Sequence, residues 1–276
     1  MATLFLGLTG CEHSQDMGAQ PRDLSSADAP AILEAAIDAH GDRADFAKLE
    51  IGVIRVFTRG IASAEIEDLI VTTETYQFPD FFRRDTTHQE ANNTMRTVYL
   101  RCGSDAWESR NDDPYKRVEH LEDVRSLFPF RTLNELRVVR RDGIHLERLK
   151  DDHVEGDPVH VLRFEQDGQV IAEVSFDAIS HLVRRIKTPT YNPKLGRPGQ
   201  STTIFKNYRQ FFGLAVPEIR TTYMDGELFS EMKLLEFRNL PSIPIERFKP
   251  TDKENTTATG PTLEHVAIRS VIDDTE

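Results

Sequence analysis

Along most of this chain the apolar positions recur at every second residue, and only short stretches repeat at three and four. The first helical stretch opens near Ser26, with Pro30 in the first turn, where a missing N–H costs little. Ile32, Leu33, Ala36 and Ile37 then share one stripe, and Gly41 follows as a stop signal. From residue 49 the period falls to two. Alternating, β-branched runs predict strands over 49–59, 65–78, 81–88 and 94–102, with Gly103 to Trp107 opening a fifth. Between Val118 and Leu136 the pattern turns helical again. Leu121, Val124, Leu127 and Phe128 share a face, Pro129 interrupts it, and Thr132 to Glu135 has capping-box spacing. Strands resume over 144–152, 158–166, 169–177, 181–188, 201–211, 216–224 and 228–238. Asp167-Gly168 and Asp225-Gly226 mark two-residue hairpin turns, and 177–180 marks a four-residue one.

This order is one helix, four to five strands, a helical insert and six or seven more strands. No strand alternates with a long helix, so Rossmann and TIM-barrel architectures are excluded. The expected fold is mainly β with a few helices: a curved antiparallel sheet or incomplete β-barrel covered by helices. Past Pro250 the chain becomes polar, and a small amphipathic piece from Leu263 to Ile272 is either a docked helix or a frayed end.

Bulk properties narrow the function. Asp and Glu outnumber Lys and Arg by 46 to 34, for a net charge of -12. That argues against non-specific nucleic-acid binding and against polybasic attachment to anionic head groups. Nothing approaches the roughly 18 consecutive apolar residues of a transmembrane helix. The two cysteines, Cys11 and Cys102, form no C-x-x-C pair, which excludes a cysteine zinc site or thioredoxin-like motif.

Leu8-Thr9-Gly10-Cys11 resembles the bacterial lipobox, in which small residues precede a cysteine that receives a diacylglycerol. The apolar stretch before it is short and lacks a basic residue, a departure that a start codon further upstream would repair. The competing reading is a buried N-terminal strand with an incidental cysteine. Residues 12–27 are polar and unpatterned, as a tether would be, and Glu12 rather than Asp after the cysteine favours onward sorting to an outer membrane. The chain thus divides into a signal remnant and tether (1–27), a domain (28–250) and a polar tail (251–276). If Cys11 is acylated, Cys102 is left as a lone thiol, inert if buried in its strand.

The domain also resembles the periplasmic lipoprotein-carrier superfamily of LolA/LolB-like proteins. The likeness rests on the helix ending Ala39-His40-Gly41, the Phe78-Pro79-Asp80 hairpin, and Val98 to Gly103 running into Trp107. It continues through Val154 to Leu162, Phe176 to Leu182, Tyr208 to Pro217, and Arg247 to Pro250. The long loop expected over 191–201 and the tail after 250 depart from that pattern. A lipid-anchored member could not be a freely diffusing shuttle.

The resemblance implies a half-barrel whose inner face either holds an acyl chain or is filled as an ordinary core. Phe57, Val71, Val98, Leu100 and Trp107 are candidate ligand-lining residues. Arg-Arg pairs at 83–84, 140–141 and 184–185 add a second group. Successive strand residues point to opposite faces, so one arginine of each pair aims inward unless the strand bulges. Arg84 and Arg184 are therefore candidate head-group contacts, against an arginine paired with a core glutamate or lying at the rim.

Catalytic signatures are missing: there is no G-x-S-x-G, H-E-x-x-H, Walker or EF-hand motif. His145, His153 and His160 are expected as surface histidines on adjacent strands, against the alternative of a cluster in which His153 and His160 face each other across the Gly156-Asp157 turn. Asp112-Asp113 and Asp151-Asp152 are expected as turn and solvated-face acids. Ser175, Asp177 and His181 are serial neighbours in one hairpin rather than a triad. Gly196 to Gly199 is expected as a hairpin tip rather than a phosphate loop. No catalytic residue, metal or cofactor is expected. The expected partners are a lipid or acylated protein and the membrane through the N-terminal anchor, in the cell envelope on the periplasmic side. The alternative is a non-catalytic envelope scaffold that binds a protein partner.

Overall fold

The computed structural model describes residues 24–41, 51–63, 66–77, 80–90, 93–118, 143–192 and 195–251. Helix α1 (Ala29–His40) is followed by β1 (Ile51–Ser63), β2 (Ile66–Gln77), β3 (Phe81–Glu90), β4 (Asn93–Cys102), β5 (Asp105–Arg110) and β6 (Lys116–Arg117). The second series is β7 (Ile144–Arg148), β8 (Asp152–Val154), β9 (Asp157–Gln166), β10 (Gln169–Asp177), β11 (Val183–Asn192), β12 (Arg197–Phe211), β13 (Leu214–Met224) and β14 (Glu227–Asn239). A 3₁₀ turn, Ile245–Phe248, closes it. Cys11, the helical pattern over 118–136, Arg140-Arg141 and the piece at 263–272 lie outside the described residues.

All strands among the described residues join one antiparallel, open, curved sheet. Its order is β6-β5-β4-β3-β2-β1-β14-β13-β12-β11-β10-β9-β7, with β8 also pairing β9. The chain builds one half outward from the middle and the other inward, and β1 meets β14 at the seam. Residue–glycine pairs at positive φ close tight hairpins at Asp167-Gly168, Phe212-Gly213 and Asp225-Gly226, as the two-residue turn requires.

Helix α1 begins where Asp28 accepts a hydrogen bond from the Ala31 amide at 3.0 Å. Its buried side carries Ile32, Leu33, Ala35 and Ala36. At its end Gly41 takes φ +120°, and a β-carbon there would stand 2.5 Å from the Leu214 side chain. Only glycine lets the helix end so close to β13. Arg148 of β7 holds the other end, donating to the carbonyls of Ser25 (2.9 Å) and Ala27.

Several expected boundaries shift. The run over 144–152 is two short strands, β7 and β8, both paired with β9. The strand expected from 181 begins at Val183, because Asp177 accepts bonds from the Ile179 and Ser180 amides and holds the turn open that long. The long loop expected over 191–201 is a turn instead. β11 and β12 run to Asn192 and from Arg197, and Asp225 of the next hairpin supports both, accepting from Asn192 (2.8 Å) and the Gln200 amide (2.7 Å). Gly196 takes φ +62° in this turn, but Arg197, Pro198 and Gly199, expected to share the hairpin tip with it, already pair with β11 as the start of β12. Cys102, expected to be inert if buried, is half-buried at the end of β4.

Candidate functional site

Strand register decides which side chains share a face. Ile54 lies opposite Glu74, Glu74 opposite Arg84, and Arg84 opposite Tyr99, with no shift in the β2–β3 or β3–β4 ladders. Directly paired residues point the same way. Ile54 belongs to the cluster that contains α1, so Glu74 and Arg84 also lie on the helix-bearing face. That cluster is continuous across the seam. It joins Ile54, Val56, Tyr76 and Phe82 of the first half to Leu162, Phe164, Val174 and Phe176 of the second.

Within this apolar layer sits a buried ion pair. Arg84 Nε donates to Glu74 Oε1 at 3.0 Å, and the two side chains are 6% and 2% exposed. Glu74 Oε2 has no hydrogen-bond partner among the described residues. Arg84 lies over the Phe82 ring at 5.2 Å, and Arg220 of β13 lies over the Phe205 ring at 5.4 Å. Burial raises the Glu74 pKa, outweighing the charge and hydrogen bond of Arg84 and the charge of Arg220, which oppose it. Burial and then the Glu74 charge raise the Tyr76 phenol. The wall also carries Thr72 and Thr86, hydroxyl to hydroxyl at 3.4 Å.

The other face of the first half is a second buried layer. Phe57 pairs directly with Val71, and Leu100 with Trp107, with Val98 two residues from Leu100 on β4. Arg83 points to this side, where it grips Asp85 through two bonds (2.7 and 2.9 Å) and reaches the Arg247 carbonyl at 3.4 Å. Asp85 also takes Arg96 at 3.1 Å. Burial opposes the Asp85 charge, but these hydrogen bonds and positive charges prevail and lower its pKa. The 3₁₀ turn packs on this face, Phe248 lying 5.5 Å from Phe81.

The candidate residues therefore separate. Arg84 stands on the helix-bearing face, and Phe57, Val71, Val98, Leu100 and Trp107 stand behind it. Alternation fails at the last arginine pair, because the β10–β11 ladder shifts register there. Arg184 and Arg185 both reach acids of the β8–β9 hairpin, Asp157 at 2.8 Å and Asp152 at 2.7 Å.

The histidines and acids fall as follows. His145 and His153 are exposed, but His160 is buried, with Nδ1 3.2 Å from Asp151 Oδ2. His153 pairs with Pro158, so it does not face His160. Asp112 and Asp151 pair with Arg96 and Arg148 at the surface. No group of three or more His, Cys, Asp or Glu suited to a metal occurs among the described residues. Glu74 and Arg220 were not singled out from sequence. Their signal is a charged residue inside a run of alternating strand, and it becomes readable only once register puts Arg84 opposite Glu74.

His40 ties α1 to the sheet. Its Nδ1 lies 2.7 Å from the Ala36 carbonyl, and its Nε2 accepts the Val183 amide at 3.4 Å. Tyr208 packs edge-on at 5.7 Å and donates to the Val183 carbonyl at 2.6 Å. Burial drives the His40 pKa down to about 4, with the Ala36 hydrogen bond opposing weakly. The ring is neutral, with its proton on Nδ1.

These features define an open half-barrel with one helix seated on an apolar face that also buries charge. No protein-family model matches the chain, and no curated protein matches it in sequence. Solved structures do match in fold. One is a domain described as an outer membrane lipoprotein-sorting protein, from Vibrio parahaemolyticus. It is 16% identical, with a TM-score of 0.50 over 80% of this chain and 97% of that one. Another is a DUF1329 family protein from Desulfovibrio piger, 11% identical, with a TM-score of 0.51 over 80% and 97%. A LolA superfamily protein from Nitrosomonas europaea aligns at 14% identity and a TM-score of 0.49, over 81% and 98%. The chain shares the fold of the lipoprotein-sorting domain and of the DUF1329 protein.

Proposed function

We propose that this chain is a non-catalytic binding protein of the cell envelope that holds an acyl chain, or the lipid of a lipoprotein, on the helix-bearing face of its half-barrel. One observation carries the proposal: a single apolar layer runs beneath α1 and across the seam to a buried, charged pair. Such a face offers a hydrocarbon chain a water-free surface and gives its head group something polar to meet. Each methylene buried there contributes about 0.8 kcal/mol, enough for reversible binding of one chain. The lipoprotein-sorting description of a fold relative supports the same reading.

In this proposal Arg84 belongs to the ligand side. Phe57, Val71, Val98, Leu100 and Trp107 stiffen the wall from behind, and Arg184 braces the β8–β9 hairpin. Cys11 is the lipid-attachment residue, residues 12–27 are the tether, 28–250 the binding domain and 251–276 an appended tail. The protein faces the periplasm, held at the outer membrane in preference to the inner.

The test is native mass spectrometry of protein purified without detergent. Bound acyl species should add mass that organic extraction removes. A clean ligand-free mass from cells of its own source would overturn the proposal.

A second reading, an envelope scaffold for a protein partner, is favoured by exposed apolar side chains at one rim. Tyr191, Leu195 and Phe229 stand at neighbouring hairpin ends, beside a cleft of about 190 Å³ that Leu195, Met224, Leu228 and Phe229 help to line. It requires that replacing Leu195 and Phe229 by Asp abolish crosslinking to a protein while leaving acyl loading unchanged.

A further inference from the structure

The polar cluster on the helix-bearing face has a definite hydrogen-bonding demand. Glu74 is 2% exposed, and its two oxygens are used unequally. Oε1 accepts from Arg84, and Oε2 lacks a donor among the described residues. A buried oxygen in that state costs free energy until something donates to it. Beside it lie the guanidiniums of Arg84 and Arg220, each over an aromatic ring and each close enough for its charge to act on Glu74. A guanidinium has several N–H donors in a fixed fork and no acceptor. The cluster therefore presents one buried acceptor next to fixed donors, set in an apolar wall of Ile54, Val56 and Phe82.

Four head groups of an acyl chain meet this arrangement differently. A fatty-acid carboxylate takes donors from the arginines but brings a second negative charge toward Glu74 and leaves Oε2 unsatisfied. An ester accepts from the arginines and likewise has nothing to give Oε2. A secondary amide does both, its N–H meeting Oε2 and its carbonyl meeting a guanidinium. A hydroxyl also has a donor and an acceptor, but on one atom, so it cannot span the two.

We infer that Glu74, with Arg84 and Arg220, forms a head-group subsite for a neutral, amide-linked acyl chain and discriminates against the matching ester. This deepens the acyl-binding proposal above and rests on it. Selectivity follows from the general rule that a site built around a hydrogen bond rejects the analogue lacking that group, because its own buried partner is then left unsatisfied.

The experiment measures binding of matched probes to the full chain by titration calorimetry: N-methyldodecanamide, methyl dodecanoate, dodecan-1-ol and dodecanoate. The amide should bind about tenfold or more tighter than the ester, with the alcohol between them. Glu74→Gln keeps the shape but turns a donor toward the ligand, so the preference should vanish or invert in favour of the ester. If no probe binds, the acyl-binding proposal and the subsite fall together. If amide and ester bind the wild-type chain equally, the subsite alone is overturned and acyl binding stands. The wild-type comparison needs no variant, so a Glu74→Gln chain that folds poorly leaves the test decisive.

Discussion

The two halves of the sheet meet their helix-bearing face with opposite chemistry. Over β9, β10 and the start of β13 the layer beneath α1 is mostly hydrocarbon: Leu162, Phe164, Val174, Phe176, Leu214 and Val216 are all buried in the cluster that holds α1. Its polar members are His160, opposite Phe176, and Arg220 further along β13. Over β2 and β3 the corresponding positions are Thr72, Glu74, Tyr76, Phe82, Arg84 and Thr86, and an ion pair lies at their centre. A buried salt bridge is a poor way to stabilise a core, since desolvating both charges offsets most of their attraction. A half-barrel selected only for stability would carry aliphatic side chains in both halves. The second half is packed as a foundation for α1, and the first keeps polar groups where a foundation does not need them.

The largest effect expected from this contrast is in the hydrocarbon half. Phe176 is fully buried, and Phe176→Ala should destabilise the fold by roughly 3–5 kcal/mol through lost burial and a residual cavity. Chemical denaturation checks this, and a loss below about 1 kcal/mol would mean that the layer beneath α1 is loose rather than a foundation.

In the charged half the pattern of loss should differ. Arg84→Met leaves Glu74 buried without its partner and should cost about 3 kcal/mol or more. Removing both charges, as Glu74→Met with Arg84→Met, should recover most of that stability, because two apolar side chains of similar volume end the desolvation penalty. A double variant as unstable as the single one would show that the pair is a strut and not a feature kept for binding.

His40 sharpens the comparison through pH. Its folded pKa of about 4 lies below the ordinary histidine value of 6.5. The unfolded chain therefore binds the proton more readily, and acid favours unfolding. The stability linked to His40 is complete well above pH 6.5 and falls as pH drops through about 4, by about 3 kcal/mol in all. Protonation puts an N–H on Nε2, where the Val183 amide already donates. His40→Gln should flatten this part of the pH–stability curve. An unchanged slope between pH 6 and 4 in that variant would place the acid sensitivity elsewhere.

Much of the fold was legible in the sequence, and the reasons are local. Period-two patterning and Asp-Gly turns located nearly every strand, because each strand buries a face and each tight turn needs positive φ. The helix was legible from Pro30, its apolar stripe and Gly41. What was not legible depends on partners remote in sequence. The turn at 192–197 looked like a long loop because its support comes from Asp225, more than two dozen residues away. Alternation alone aims Arg184 inward, and the bulge that breaks the alternation beside it leaves no mark in composition. Candidates such as Leu100 and Trp107 lie on the face opposite α1, a placement the sequence leaves open because hydrophobicity alternates equally well in either register. Glu74 was passed over for the same reason. Its meaning lies in standing opposite Arg84.

The smallest effect concerns the start of α1 and asks whether the hydrocarbon half needs a well-formed helix or only a greasy one. Asp28 caps the helix with a single exposed bond to the Ala31 amide. Asp28→Ala should cost about 1 kcal/mol, the ordinary value for a lost N-cap. Because Arg148 and His40 hold the flanking backbone independently, the loss should remain local. Amide exchange should quicken in the first turn of α1 and stay unchanged in β2 and β3. If exchange rises equally around Glu74 and Arg84, the two halves unfold as one unit and their contrast in chemistry is not a contrast in mechanical role. If it stays confined to α1, the helix can loosen over its foundation while the charged wall keeps its shape, the behaviour required of a face that admits a chain without losing the groups that recognise its head.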